Sequence, residues 1–232
     1  MPVEARPEDA STALTSPRLT LWPLAGAVAG LLGAVATFTD SRVGEPRNPD
    51  YTITVADLGD LESATMRVGG FVGYLAVAAL LVFAAVWQTR VARRYPWSVG
   101  AAIVQHGLVA SSAALALAYG WKAALGNYGP GAMEAGTYDD AGLYAYYILN
   151  DFGPFIAWLP ALVALGGLAY MAFRERLVSR LLGGFAAFVS LGTLAAVAAT
   201  GVPGLPFTAG LGLLVASLWL AAGRSTITQE LR

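Results

Sequence analysis

The chain contains no cysteine among its 232 residues. This absence excludes disulfide bonds, thiolate nucleophiles, iron–sulfur clusters and cysteine-based zinc sites. Histidine and lysine occur once each, as His106 and Lys122. One histidine excludes a haem held by two histidines, and any metal site built from several. Lys122 falls at the end of an apolar segment, so we predict an anchor whose ammonium group snorkels to the membrane interface.

Charged residues are scarce as well. They make up 12% of the chain, against roughly 25% in an ordinary soluble domain. Hydrophobic residues make up 56% and the mean hydropathy is +0.59, which predicts lipid as the solvent. The net charge of −1 provides no field that would attract nucleic acid, so none is expected as a partner.

Motifs of several membrane enzymes and motors are missing. There is no phosphate-binding glycine loop followed by Lys-Ser/Thr, no H-E-x-x-H and no G-x-S-x-G. These absences argue against an ATP motor and against zinc or serine hydrolysis within the membrane. No EF-hand spacing occurs either. The sequence therefore predicts neither a metal site nor a cofactor.

Apolar segments of near membrane-spanning length dominate what is present. A helix needs about 20 apolar residues to cross a bilayer. We predict an all-α polytopic bundle of about six transmembrane helices, forming one domain over residues 21–223. It is preceded by a disordered cytoplasmic tail, 1–20, and followed by a cytoplasmic tail, 224–232. The predicted spans are 21–38, 68–88, 97–121, 152–173, 181–200 and 205–222.

The first of these segments has an alternative interpretation. Ala34 and Ala36 form an A-x-A pattern after an apolar stretch, as at a signal-peptidase site. Removal of that segment would leave five spans. The stretch is long for a signal peptide, however, and acidic residues outnumber arginines in the leader before it. We therefore expect the first helix to be retained.

Arginines indicate the orientation. The short segment TRVARRYPWS has three arginines and no acid, and RERLVSR has three with one acid. Positively charged short loops stay in the cytoplasm. With six spans, both termini are then cytoplasmic, in a bacterial plasma membrane.

Two segments on the opposite side, 39–67 and 122–151, are too long to be simple turns and too apolar to be disordered. We expect them to form a small outer cap, with a short interfacial helix over 142–151. The side chains considered for binding a ligand are aromatic or polar residues of this region, together with the intramembrane pair Gln105 and His106. The set is His106, Gln105, Trp121, Tyr138, Tyr144, Tyr147 and Asn150.

An ionisable group inside a membrane is costly, so His106 is a candidate for proton relay or substrate binding. The alternative is a neutral ring that hydrogen-bonds to a serine or threonine of another helix. The candidate partners are Ser111, Ser112, Ser190, Thr193 and Ser217.

Outer carboxylates are the most concentrated polar feature. Pairs of carboxylates can perform acid–base chemistry, and the candidates are Asp57, Asp60, Asp139, Asp140 and Asp151. The alternative interpretation is that these carboxylates are simply loop residues exposed to water. Asp151 also has a local explanation, because Asn150 and Asp151 precede Pro154 as residues that cap a helix would.

Small residues and one proline predict packing details. Gly26 with Gly30, and Gly69 with Gly73, are spaced for close approach of helices. Pro160 is expected to kink the fourth span and free a backbone carbonyl.

The segment YTITVADLG at 51–59, the arginine-rich turn, and the ending RLVSRLLGGFAAFVSLG…GVPGLPFTAGLGLLVASLWLAAGR resemble uncharacterised six-span membrane protein families of high-GC actinobacteria. The resemblance implies a topology and no activity. A rhodopsin would need a seventh span and a lysine at mid-membrane.

Three functions remain open. The leading hypothesis is a non-enzymatic protein, either an accessory subunit or a bundle that binds a lipid or small apolar molecule under its outer cap, with a membrane protein or a second copy as partner. The second is an enzyme acting on a lipid or isoprenoid with two of the outer carboxylates converging over a hydrophobic tunnel. The third is a small permease that uses His106.

Overall fold

A computed structural model describes residues 20–44, 50–223 and 225–228, and within these ranges the regular structure is helical, without strands. The all-α prediction is therefore confirmed. The predicted N-terminal tail lies outside the described residues except for Thr20, and so does most of the segment after residue 223. Seven α-helices follow one another: α1 Leu24–Phe38, α2 Ser63–Trp87, α3 Val99–Tyr128, α4 Asp140–Ile156, α5 Leu159–Tyr170, α6 Arg180–Thr200 and α7 Thr208–Ala222.

Among the described residues, five helical segments are long and apolar enough to cross a membrane, as expected for a multi-pass membrane protein. They are Ser63–Ala92, Val99–Tyr128, Asp140–Glu175, Arg180–Thr200 and Leu205–Ala222. The third contains both α4 and α5. The first predicted span, α1, is apolar but has 15 residues, fewer than the number that crosses a bilayer without help. It nevertheless packs between α2 and α7 as part of the core.

The chain runs up and down, so that the bundle has two distinct ends. We call the end with the turns at 88–98 and 174–180 the arginine end. The end with residues 39–62, 129–139 and 201–207 is the loop end. At the arginine end the carboxylate of Glu175 accepts a hydrogen bond from the Ser98 hydroxyl and one from the Gly100 amide. It thereby places a negative charge at the N-terminus of α3, where the helix dipole favours one.

Several helix ends differ from the predicted span ends. α2 begins at Ser63 and α3 continues to Tyr128, so the two long loops shrink to 39–62 and 129–139. Hydropathy locates the apolar part of a helix, whereas backbone hydrogen bonding continues past the hydrocarbon boundary.

The fourth span is broken in the middle, which confirms the kink expected at Pro160. α4 ends before Ala157 and α5 begins at Leu159, with Pro160 in its first turn. The buried hydroxyl of Ser111 repairs the break: it donates to the Ala157 carbonyl at 3.2 Å and accepts from the Ala161 amide at 2.8 Å.

The prediction that Asn150 and Asp151 cap the N-terminus of the fourth span was wrong. Asp139 caps α4, accepting a hydrogen bond from the Gly142 amide at 2.9 Å. Asn150 and Asp151 lie within α4, where Pro154 also sits. The prediction failed because the interfacial segment and the first part of the span form one helix, α4, which already begins at Asp140.

Glycines set the closest helix approaches, as their spacing predicted. A methyl group on Gly30 would lie 2.5 Å from the carbonyl oxygen of Gly210, which shows how tightly α1 packs on α7. One on Gly73 would lie 2.2 Å from the Cγ atom of Tyr119, on the α2–α3 contact. At the same contact Gly70, which the spacing did not single out, would place a methyl group 2.8 Å from the Cα atom of Ala123. These distances are shorter than a normal contact, so only glycine fits without movement.

Candidate functional site

The loop end of the bundle contains a cavity of about 440 Å³, which we call the loop-end cavity. It lies where the segment after α1 meets α4 and the turn between α6 and α7. Its volume is within the range of small-molecule sites. The lining residues are Arg42, Val43, Tyr51, Ile53, Tyr147, Asp151, Phe152, Phe155, Val202, Gly204, Leu205 and Phe207.

Two opposite charges face this cavity. Arg42 comes from the segment after α1, and Asp151 comes from α4. They interact electrostatically. Arg42 and Asp151 both lie in the described part of the chain. Within it, an ion pair with an N···O distance below 4 Å joins Lys122 and Asp40, but none joins Arg42 and Asp151. The cavity therefore offers a cation and an anion at once.

The opposite wall is aromatic. Phe155 and Phe207 line the cavity and pack edge-to-face, with ring centroids 5.9 Å apart. Phe38 completes the cluster at 5.8 Å from Phe155 and 5.3 Å from Phe207. Edge-to-face contacts at these distances are favourable, so the apolar wall is held in place by the ends of three different helices and turns.

A second hollow adjoins the cavity. An apolar groove of about 500 Å³ runs along the outside of the bundle between α6 and α7, and Leu205 lines both it and the loop-end cavity. We call it the α6–α7 groove. Along α6 its lining extends from Ala196 to Phe185, which is about 16 Å at a rise of 1.5 Å per residue. That length is close to half of a hydrocarbon core of roughly 30 Å.

The segment that brings Tyr51 and Ile53 to the cavity is fixed by local hydrogen bonds. The carboxylate of Asp57 accepts bonds from the Tyr51 hydroxyl and from the amide and hydroxyl of Thr54. These bonds, led by that from Tyr51, hold the pKa of Asp57 below its ordinary value. From α4, the Tyr144 hydroxyl donates to the Ile53 carbonyl at 2.9 Å.

Behind the cavity lies a buried polar network centred on Lys122, whose exposed fraction is 1%. Its ammonium donates to the carbonyls of Ala36 at 2.9 Å and Thr39 at 2.8 Å, and it lies 3.7 Å from the carboxylate of Asp40. The amide of Asn150 donates to the same carboxylate at 3.0 Å. The predicted snorkelling anchor was therefore wrong: Lys122 points inward because the C-terminus of α1 presents unpaired carbonyls there.

Gln105 and His106 lie in the first turns of α3, near the arginine end. The His106 ring is exposed on the outside of the bundle, and its Nδ1 lies 2.7 Å from the Ala102 carbonyl oxygen of the same helix. The ring therefore does not form the hydrogen bond of the predicted alternative, to a serine or threonine of another helix. Gln105 is half-buried, and its side-chain oxygen has no hydrogen-bond partner. Neither residue lines the loop-end cavity.

The five candidate carboxylates do not converge. Asp57 and Asp139 bind backbone amides of their own turns, and Asp60 and Asp140 are exposed. Asp151 alone of the five lines the cavity. Within the described residues, no three Asp, Glu or His side chains are grouped as metal ligands would be.

The predicted aromatic residues have separate places. Tyr147 lines the cavity, and Tyr144 supports its wall. Tyr138 packs between Tyr128 and Tyr146, with centroids 4.9 and 5.9 Å away, and Trp121 packs on Gly153 of α4.

Sequence reasoning missed the other cavity residues. Arg42, Phe155, Leu205 and Phe207 were not among the residues singled out from the sequence. The one available signal for Arg42 was its position four residues after an apolar segment, at the level of lipid headgroups.

Comparison of the chain with protein-family models, with curated proteins and with solved structures found no match. The resemblance to six-span actinobacterial families therefore stays a prediction, and function has to be argued from the geometry.

Proposed function

We propose that this protein is a non-enzymatic lipid-binding protein of a bacterial plasma membrane. It crosses the membrane six times, with both termini in the cytoplasm, and holds an amphipathic lipid at its extracytoplasmic loop end. The observation that carries the proposal is that two hollows share Leu205 in their linings: a cavity that two charged side chains face, and an apolar groove on the outer surface of the bundle.

Charge distribution supports the orientation. The turns of the arginine end carry six arginines, whereas the segments of the loop end carry most of the acids of the described chain. Short arginine-rich loops stay on the cytoplasmic side. α1 completes the sixth crossing because it packs between two membrane-length helices and because the three residues before it, 21–23, extend the apolar stretch.

The two hollows match the two parts of a lipid. The groove is lined by aliphatic and aromatic side chains and by two threonines. At Gly192, which also lines it, an added methyl group would meet nothing within 4 Å, so an acyl chain has room there. Its length of about 16 Å fits one leaflet. The cavity above it has hydroxyls and two charges for a headgroup. A soluble apolar ligand would use the groove and leave Arg42 and Asp151 without a role.

An enzyme of the kind considered from the sequence requires a second candidate carboxylate that is free to act beside Asp151. The carboxylate of Asp40 does act on Asp151, but it already accepts from Asn150 and lies beside Lys122. A permease that uses His106 requires that ring to face a path through the bundle. Neither arrangement has support in the geometry described above, so lipid binding is the function we favour.

The test is retention of lipid by the purified protein. Val202 lines the cavity and is 44% exposed, so Val202→Trp should fill the cavity from its rim without disturbing the core. We expect native mass spectrometry to detect one tightly held lipid on the wild type, and a several-fold lower occupancy on the variant. Val99→Trp, at an exposed position of the arginine end, is the matched control. Equal retention by all three proteins would contradict the proposal.

A further inference from the structure

The loop-end cavity has a charge arrangement that a lipid headgroup of one class would satisfy. Arg42 and Asp151 face it from different elements, interact electrostatically, and are not in direct contact. Had the pair served only to hold α4 against the segment after α1, a direct ion pair would be the expected arrangement. Because both side chains line the same cavity of about 440 Å³ without forming that ion pair, a bound group can contact both.

Two other described carboxylates near the site are already paired. Asp40 also acts on Asp151, but its carboxylate accepts from Asn150 and lies beside the ammonium of Lys122. The carboxylate of Asp57 accepts hydrogen bonds from Tyr51 and Thr54. Among the described residues that line the cavity, the charged groups that face a ligand are therefore the guanidinium of Arg42 and the carboxylate of Asp151.

We propose that the cavity selects a zwitterionic phospholipid whose headgroup has a phosphate and a primary ammonium, the phosphoethanolamine type. This inference rests on the proposed lipid-binding function. The guanidinium of Arg42 pairs with the phosphate, for which its planar fork of donors is suited. The ammonium donates to the carboxylate of Asp151.

Other headgroups satisfy the pair less well. An anionic phosphoglycerol headgroup pairs with Arg42 but brings no cation to Asp151. A phosphocholine headgroup brings a quaternary ammonium, which has no N–H to donate and is held best by aromatic faces. The rings of Phe155 and Phe207 are engaged edge-to-face with each other and with Phe38, so the structure favours the primary amine.

The phospholipid, as opposed to a free zwitterion, follows from the groove. The charged cavity and the α6–α7 groove share Leu205, so a molecule seated at Arg42 and Asp151 can continue between the two helices. A soluble headgroup fragment would lose the apolar contact along the groove, and that contact grows with every methylene buried there. Glycerophosphoethanolamine is therefore expected to compete only at far higher concentrations than the lipid.

The absence of cysteine makes a site-specific test straightforward. Val202→Cys, labelled with bimane, reports on the cavity rim, and we call it the rim label. Met133→Cys carries the same dye in the 129–139 loop, at a position that is 84% exposed and does not line the cavity. This second label, the loop label, reports on bulk lipid. Each labelled protein is placed in nanodiscs whose brominated lipids carry phosphoethanolamine, phosphocholine or phosphoglycerol headgroups, at equal mole fraction against a constant background.

We expect quenching of the rim label, beyond that of the loop label, to require on the order of tenfold less phosphoethanolamine lipid than either other lipid, from one charge-assisted bond. Asp151→Asn should abolish this preference and shift it toward phosphoglycerol. Arg42→Gln should weaken all three lipids. Asp151→Asn preserves the side-chain shape, whereas Arg42→Gln shortens the side chain and keeps a polar end. Thermal unfolding of each variant checks the fold.

Different failures have different meanings. Equal quenching of the rim label by the three lipids, still above the level of the loop label, would overturn the headgroup selectivity and leave lipid binding intact. A preference for phosphocholine would overturn the role of the primary amine. Quenching of the rim label no greater than that of the loop label, for every lipid, would overturn the proposed function itself, and the selectivity with it.

Discussion

Replacing Lys122 by Met should strongly destabilise the bundle. The lysine is 1% exposed and its ammonium caps the C-terminus of α1, through the carbonyls of Ala36 and Thr39, beside the carboxylate of Asp40. Met has a similar length and fills the same volume, so the loss is of charge and hydrogen bonds more than of packing.

The size of the effect follows from the groups left behind. Hydrogen bonds to a charged donor contribute about 1.5–3 kcal/mol each, and removing one partner of a buried ion pair costs about 3–5 kcal/mol. The side chain of Asp40 is 20% exposed, so water compensates part of its loss. We expect Lys122→Met to lower the free energy of unfolding by about 3–5 kcal/mol.

The assay is reversible unfolding in mixed micelles with increasing SDS, followed by tryptophan fluorescence. Leu117→Met is the matched control, because Leu117 lies on the same helix and is 63% exposed. Asp40→Asn alone should cost about 1 kcal/mol, and in that background the cost of Lys122→Met should fall, since no bare carboxylate remains.

Two results would refute this reasoning. The first is a free energy of unfolding for Lys122→Met that lies within about 1 kcal/mol of that for Leu117→Met. Such a difference is smaller than the contribution of one hydrogen bond to a charged group. The second comes from amine chemistry, because Lys122 is the single lysine of the chain. An acylating reagent should modify it only on unfolding, and rapid modification in the folded protein would mean that the side chain snorkels to water.

Three further predictions concern local structure. Ser111→Ala should lower the free energy of unfolding by about 1–3 kcal/mol, because it leaves two backbone groups at the break between α4 and α5 without their hydrogen-bond partner. The control is Ser112→Ala, which removes a bond to the Leu108 carbonyl of its own helix. Equal costs for the two variants in the same micelle assay would contradict this role of Ser111. Gly70→Ala should lower the free energy of unfolding by about 1–3 kcal/mol, because the added methyl group collides with α3. At Gly192 the methyl group meets nothing within 4 Å, so Gly192→Ala should raise that free energy by up to about 1 kcal/mol. Unfolding of the two variants tests this, and an unchanged free energy for Gly70→Ala would mean that α2 and α3 separate easily. Because its hydrogen bonds lower the folded pKa of Asp57, they stabilise the turn above the ordinary pKa and are lost as the pH falls through the folded value; a carboxyl carbon NMR titration with an ordinary midpoint would show that these bonds are absent.

Much of the architecture was predictable from the chain alone. Apolar segments are defined by composition over about 20 residues, so the helical, multi-pass character of the chain and the approximate places of these segments need no knowledge of neighbours. The same is true of the break at Pro160, since a proline lacks its amide proton in any context, and of the glycine pairs that allow α1 to approach α7. The number of spans was less predictable, because α1, the first of six predicted spans, is a helix of 15 residues. The helix ends were also less predictable, because α3 continues to Tyr128, well past its apolar part.

Only the tertiary structure decided which polar groups meet. The position of Lys122 at the end of α3 is compatible with water or with the interior, and the free carbonyls at the end of α1, more than 80 residues earlier, determine that it turns inward. Arg42 and Asp151 are also far apart in sequence, and nothing local marks them as facing one cavity. Hydropathy is a sum over neighbours in the chain and determined the membrane bundle; a binding site depends on contacts between distant segments, which only the packing of the helices brings together.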